Sequence, residues 1–160
     1  MTLHDLLQAG ADDAIAIAAP GRAPLDYRGL RALVAATTAS LNAAGIGRNH
    51  RVAIVLPNGP EMATCFLACA CAATSAPLNP AYRADEFEFY LSDLGAKGLI
   101  VQAGSASPAI EVARRLGIRV IELEPLRERG AGCFALRDAP TPAPAAAASP
   151  APVLATAARS

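Results

Sequence analysis

The chain has 160 residues, enough for one domain with a hydrophobic core. Its 14 Lys and Arg balance 14 Asp and Glu, and aromatic residues make up only 4%. That balance gives no electrostatic reason to expect a nucleic-acid or anionic-membrane partner, and the scarcity of rings argues against a base-stacking surface.

Taken in chain order, residues 3–9 (LHDLLQA) predict a short helical turn and 14–19 (AIAIAA) a strand. Gly21 marks a turn, and Pro24-Leu25-Asp26 predict a second short strand. A helix follows, with Asp26 as N-cap and Leu30, Leu33, Val34, Thr37 and Leu41 on its core face. Gly45 and Gly47 end it. The branched run RVAIVLP (51–57) predicts a strand, Asn58-Gly59 a turn, and Pro60 the first position of another helix. That helix, about 60–73, carries small side chains all round, which predicts close packing on both sides.

Residues 76–78 predict a short extended piece, broken by Asn79-Pro80. Asp85 and Glu86 then occupy a first helical turn, where carboxylates meet the positive end of the helix dipole. Phe87, Tyr90, Leu91 and Leu94 form its expected buried stripe, and Gly95 caps it. GLIVQ (98–102) predicts a strand, 107–116 a helix ended by Gly117, and RVIELE (119–124) a further strand. Strand alternating with helix predicts an α/β fold, a partly parallel sheet flanked by helices. From Ala139 the composition turns to Pro and Ala, the signature of an extended linker or disordered tail over 139–160.

The N-terminus carries no Lys or Arg before Arg22, so a signal peptide is not expected. The apolar run between Pro60 and Pro77 is too short for a membrane span. These features predict a soluble, cytoplasmic protein. Cys65, Cys69, Cys71 and Cys133 lack the paired spacing of a zinc site, and His4 and His50 stand apart from them. Small core thiols in a reducing compartment are expected instead.

Three stretches carry a family likeness: DYRGL (26–30), GIGRNHRVAIVLPNGPEM (45–62) and APLNPAY (76–82). In this order they resemble the adenylate-forming superfamily of AMP-dependent ligases and acyl-CoA synthetases. FEFYLSD (87–93) resembles the oxalate- and medium-chain-like members. The resemblance implies the first N-terminal subdomain of such an enzyme over residues 1–138. It implies a parent reaction in which a carboxylate attacks the α-phosphate of ATP, with magnesium, and a thiol such as that of CoA then displaces AMP.

The chain departs from that pattern in several places. It has no Gly-rich phosphate loop ending in lysine, and Gly45-Ile-Gly47 and Gly130-Ala-Gly132 read as turn pairs. Lys97 is the only lysine and stands in neither lysine motif of the family. The expectation is a truncated N-terminal portion, inactive alone, with no cofactor of its own although ATP, Mg and CoA serve the parent family; the alternative is a non-catalytic binding module or one chain of a split ligase. A complementary chain, or self-association through exposed apolar surface, is the expected partnership. Gly29 stands where the family often has a capping-box Glu, an expected loss of about 0.5–1 kcal/mol at the helix start.

No catalytic residue and no metal ligand is assigned. The resemblance places Asn79, Tyr82 and Arg83 near the groove that takes the nucleotide end of CoA, where an Arg pairs with phosphate. The residues themselves also fit a turn residue, a half-buried ring and a solvated Arg. Asp85, Glu86 and Glu88 read as a helix's first turn and solvated face rather than an acid/base set.

Overall fold

The computed structural model describes residues 2–140. Thr2 caps helix α1 (Leu3–Gln8), its hydroxyl accepting from the Asp5 N–H. Strands β1 (Ile15–Ile17) and β2 (Leu25–Asp26) pair antiparallel. Helix α2 (Tyr27–Ala43) leads to β3 (Arg51–Val55), α3 (Pro60–Ala72), β4 (Thr74–Pro77) and α4 (Ala84–Leu94). Strand β5 (Gly98–Gln102), helix α5 (Pro108–Arg115) and β6 (Arg119–Pro125) follow, and then β7 (Phe134–Asp138) after a 3-10 turn at Arg127–Arg129.

The main sheet runs β4-β3-β5-β6-β7. Its first four strands are parallel, with Val52 opposite Gly98 and Gly98 opposite Arg119, and β7 returns antiparallel to β6. Alternate side chains of β3 sort to opposite faces, as the pleat requires. Val52 and Ile54 join Ile100, Ile121 and Leu123 beneath α2 and α3. Ala53 and Val55 join Leu99, Val101 and Val120 beneath α4 and α5. The α/β architecture is therefore as expected, with β7 an addition that pattern reading did not yield.

Asp26 caps α2 by accepting from the Gly29 N–H at 2.7 Å. A Cβ at Gly29 would lie 2.5 Å from Cδ1 of the buried Leu25, so a larger residue there would require that side chain to shift. Leu30, Val34, Thr37 and Leu41 are buried as expected, whereas Leu33 is only half-buried and lies at the margin of that face. On α3, Thr64, Cys65, Ala68 and Cys69 are fully buried, but Phe66 on the opposite side is 38% exposed, so no described element closes that side. On α4, Phe87 and Leu91 hold the stripe at i, i+4 spacing, and Tyr90 projects outward. The Cys65 and Cys69 sulfurs stand 3.9 Å apart in the core. Their hydrogen bond and burial push the Cys65 thiol well above its ordinary range, so it is an inert packing group.

The loop before β7 is tied to distant parts of the chain. The Thr64 hydroxyl donates to the Gly132 carbonyl at 2.6 Å, and the Ala131 N–H to the Ala23 carbonyl at 2.8 Å. Gly132 has φ +77°, and a Cβ on it would meet the Pro60 carbonyl oxygen at 2.9 Å. The Pro/Ala-rich stretch expected to be a linker falls, from residue 141, outside the described residues.

Candidate functional site at the carboxyl edge of the parallel strands

Strand order places a switch point between β3 and β5: the chain leaves β3 toward β4 on one side and reaches β5 on the other. Loops diverge above such a point and open a crevice outside the carboxyl ends of the strands. Two clefts lie there. The first, about 380 Å³, is lined by Val55 and Pro57 after β3, Pro80, and Gln102, Gly104 and Ser105 after β5. Gly104, at φ +74°, turns the chain away from the sheet. Ser105 Oγ accepts from the Ser107 N–H, and Ser107 Oγ from the Ala109 N–H, which caps α5.

The second cleft, about 440 Å³, lies beside it and includes Arg22, Asn58, Glu61, Gln102 and Arg127. Arg22 pairs with Glu61 in the first turn of α3, and its other terminal nitrogen donates to the Gly130 carbonyl at 2.8 Å. The pair is largely buried, with side chains 11% and 16% exposed. Arg22 Nε is buried with no hydrogen-bond partner among the described residues.

Asn79, Tyr82 and Arg83 lie together on the loop between β4 and α4. Asn79 Oδ1 accepts from the Ala81 N–H at 2.9 Å, and the Tyr82 N–H donates to the Asn79 carbonyl at 3.1 Å. Pro80 is the loop residue that reaches the first cleft. Tyr82 stacks on Tyr90 with ring centres 5.0 Å apart and meets Phe87 edge-on at 5.8 Å. The Tyr90 hydroxyl, through hydrogen bonding, pushes the Tyr82 phenol above its ordinary value. Arg83 is exposed, its guanidinium 3.2 Å from Asp85 and 3.9 Å from Glu86. Its N–H donates to Glu86 Oε2 at 2.9 Å, so the acidic first turn caps the helix.

Lys97 lies far from this edge. It precedes Gly98, the first residue of β5, and is therefore at the amino end of the strands, opposite the clefts. Among the described residues no group of three or more His, Cys, Asp or Glu is placed to hold a metal ion. No step through magnesium or ATP is assigned to the described residues. No described helix is long and apolar enough to cross a membrane. Arg22, Glu61, Gln102 and Ser105 were not singled out by sequence. Their signal is positional: each stands at or just beyond the carboxyl end of a parallel strand, or pairs with a residue that does.

The fold agrees with that of known proteins. Residues 7–155 match the family of the AMP-binding enzyme, and the chain belongs to that family. It is 37% identical over 144 residues to a probable CoA ligase of Humulus lupulus, covering 88% of this chain and 27% of that protein. It is 40% identical over 122 residues to the oxalate–CoA ligase of Arabidopsis thaliana, covering 73% of this chain and 24% of that one. The chain thus spans about a quarter of the length of the curated relatives it matches. The N-terminal domain of FACL13 from Mycobacterium tuberculosis superposes with TM-score 0.61 and 28% identity, over 71% of this chain and 30% of that one. Apo MatB from Rhodopseudomonas palustris shares the fold, with TM-score 0.68 at 24% identity over 87% of this chain and 30% of that one.

Proposed function

We propose that this chain is the N-terminal part of an ATP-dependent acyl-CoA synthetase, which joins a carboxylic acid to CoA with release of AMP and pyrophosphate. The observation that carries the reading is the match to CoA ligases at 37% and 40% identity over most of the chain. The crevice at the carboxyl edge of β3 and β5 supports it, because open α/β sheets bind ligands there. In this reading ATP, Mg and CoA serve the whole enzyme. The chain contributes walls and orientation, and alone it does not form an adenylate. The basis for that last point is the placement of Lys97 at the amino edge and the lack of any metal-binding set among the described residues. We place the CoA groove at the loop of Asn79, Tyr82 and Arg83, whose Pro80 lines the first cleft. Asn79 fixes the turn, Tyr82 offers a ring held by Tyr90, and Arg83 exchanges its exposed carboxylate partners for a phosphate.

The test is a chimera in which residues 2–140 replace the matched segment of the Humulus lupulus ligase. The expected result is carboxylate-dependent AMP release that requires ATP and CoA, and no turnover by the 160-residue chain alone. In the chimera, Arg83→Ala should raise KM for CoA several-fold and leave KM for ATP unchanged. A folded chimera with no carboxylate-dependent AMP release contradicts the reading, and equal effects on both KM values remove Arg83 from the CoA groove.

A further inference from the structure

Equal numbers of acidic and basic residues conceal an uneven distribution. At the carboxyl edge Arg22 pairs with Glu61, and Arg83 with Asp85 and Glu86. The amino edge is different. Arg51 opens β3, Lys97 immediately precedes β5, and Arg119 opens β6. These strands are adjacent, with Val52 opposite Gly98 and Gly98 opposite Arg119. Neighbouring strands lie about 4.8 Å apart, so the row spans roughly 10 Å. Arg48 joins it from the loop before β3, and Arg114 from the last turn of α5, where the adjoining Arg115 is paired with Glu88. Against the five cations Arg48, Arg51, Lys97, Arg114 and Arg119 stand two carboxylates, Asp93 in the last turn of α4 and Asp138 at the end of β7.

Local duties account for three of the five. Helix ends expose carbonyls that cations satisfy. Arg51 Nε donates to the Leu94 carbonyl at the end of α4, at 2.7 Å. Arg119 donates to the Ala44 carbonyl at the end of α2, at 3.3 Å, and pairs with Asp138. Arg114 donates to the Pro140 carbonyl at 2.9 Å. Arg48 and Lys97 are exposed, and neither forms an ion pair among the described residues. Their backbones are nevertheless held. The Gly47 N–H donates to His50 Nδ1 at 3.1 Å and the His50 N–H to the Gly47 carbonyl at 2.9 Å, closing the turn that presents Arg48. The Lys97 N–H donates to the Arg51 carbonyl at 2.8 Å.

We propose that the amino edge is a docking surface for an acidic helix of a partner protein, with Arg48 and Lys97 taking its carboxylates. The proposal stands independently of the ligase reading. Guanidinium and ammonium groups take carboxylates through charge-assisted hydrogen bonds. The row is as wide as one helix with its side chains, about 10–12 Å. Carboxylates at i, i+4 spacing on such a helix are about 5–6 Å apart at Cβ, close to the spacing of the strands. An anionic bilayer calls for apolar side chains beside the cations. Among the described residues Leu116, 37% exposed, is the one large exposed apolar group at this edge. Duplex DNA calls for a longer run of phosphate contacts than two free cations supply.

The test uses a fluorescein-labelled helical peptide with Glu at i, i+4 spacing, titrated with the 160-residue chain and read by anisotropy. The expected result is saturable binding that weakens as salt rises. The double variant Arg48→Glu/Lys97→Glu should lose about tenfold in affinity, and Arg83→Ala, at the carboxyl edge, none. Both reversed residues are exposed, so the double variant should melt with the parent chain. Arg48→Gln/Lys97→Gln gives the same reading with a smaller loss if it does not. No saturable binding at low salt overturns the proposal, and so does an equal loss in Arg83→Ala. Tighter binding of phosphatidylserine vesicles or of a short DNA duplex, abolished by the same double variant, also overturns it, since the edge then serves a lipid surface or a nucleic acid.

Discussion

The two helical layers of this molecule differ in what their outer sides carry. Helices α4 and α5, of 11 and 8 residues, carry seven charged residues, and Glu88 on one pairs with Arg115 on the other at 2.8 Å. Helices α2 and α3, of 17 and 13 residues, carry three: Arg28, Arg31 and Glu61, all near the helix starts. Both layers bury comparable apolar cores against the same sheet. The difference is therefore not about folding this unit. A helix needs one apolar stripe to pack on a sheet, and an outer side without charge exceeds that need. The exception on the charged layer is local: Phe89 is 64% exposed beside Tyr90, next to the loop that holds Tyr82.

The two layers share one foundation, the inner face that each buries against the sheet. Phe87 is fully buried beneath α4 and Leu41 beneath α2. Phe87→Ala should cost about 3–5 kcal/mol and Leu41→Ala about 2–5 kcal/mol, read by urea denaturation of the chain. Similar large losses sustain the view that both inner faces are ordinary cores. A negligible loss for Leu41→Ala would mean that the α2 layer is not packed without a partner.

A smaller effect sharpens the link between the uncharged layer and the carboxyl-edge clefts. Arg22→Met leaves Glu61 without its partner and should cost roughly 1.5–3 kcal/mol, the range for hydrogen bonds to charged groups. Adding Glu61→Gln to that variant should recover part of the loss, because the stranded carboxylate is then gone. Gly132→Ala should cost more than about 1 kcal/mol, since it combines a left-handed backbone with a close approach to the Pro60 carbonyl and Thr64.

The smallest effect lies at the other end of the sheet. Arg119 makes two hydrogen bonds to Asp138, at 2.7 and 2.6 Å, and these hold the Asp138 carboxyl below its ordinary value. Because the folded-state value is the lower one, this contribution is present above the ordinary carboxylate range. It is lost as pH falls through the folded-state value. The pair is exposed, so Asp138→Asn should cost about 0.2–1 kcal/mol at neutral pH. The variant and the parent chain should converge in stability in acid. A gap that persists at low pH would assign the effect to packing instead.

The parallel part of the sheet was legible because RVAIV, GLIVQ and RVIELE are short branched runs separated by amphipathic helices with clear caps at Asp26 and Gly95. Strand β7 was not, because FALRD is short, with only Phe134 and Leu136 alternating inward, and follows a glycine-bracketed turn. It is fixed by pairing with β6 rather than by its own pattern. Tyr90 was placed in the core by spacing, but it sits at the margin of the α4 stripe, where stacking on Tyr82 takes it outward. The Arg22–Glu61 pair joins residues 39 positions apart, a contact that periodicity does not carry. Of the loop Asn79–Arg83, sequence gave the turn, and structure added the stacked ring and the carboxylate partners of Arg83.

The ligase reading predicts that the uncharged layer is covered in the whole enzyme and that the charged layer is a solvent face. Hydroxyl-radical footprinting tests it most directly, with Phe66 and Phe89 read by mass spectrometry in the 160-residue chain and in the chimera. In the chain alone both rings are exposed, at 38% and 64%, and both should be oxidised. In the chimera Phe66 should become protected while Phe89 is oxidised as before. Equal oxidation of Phe66 in both proteins would contradict the account.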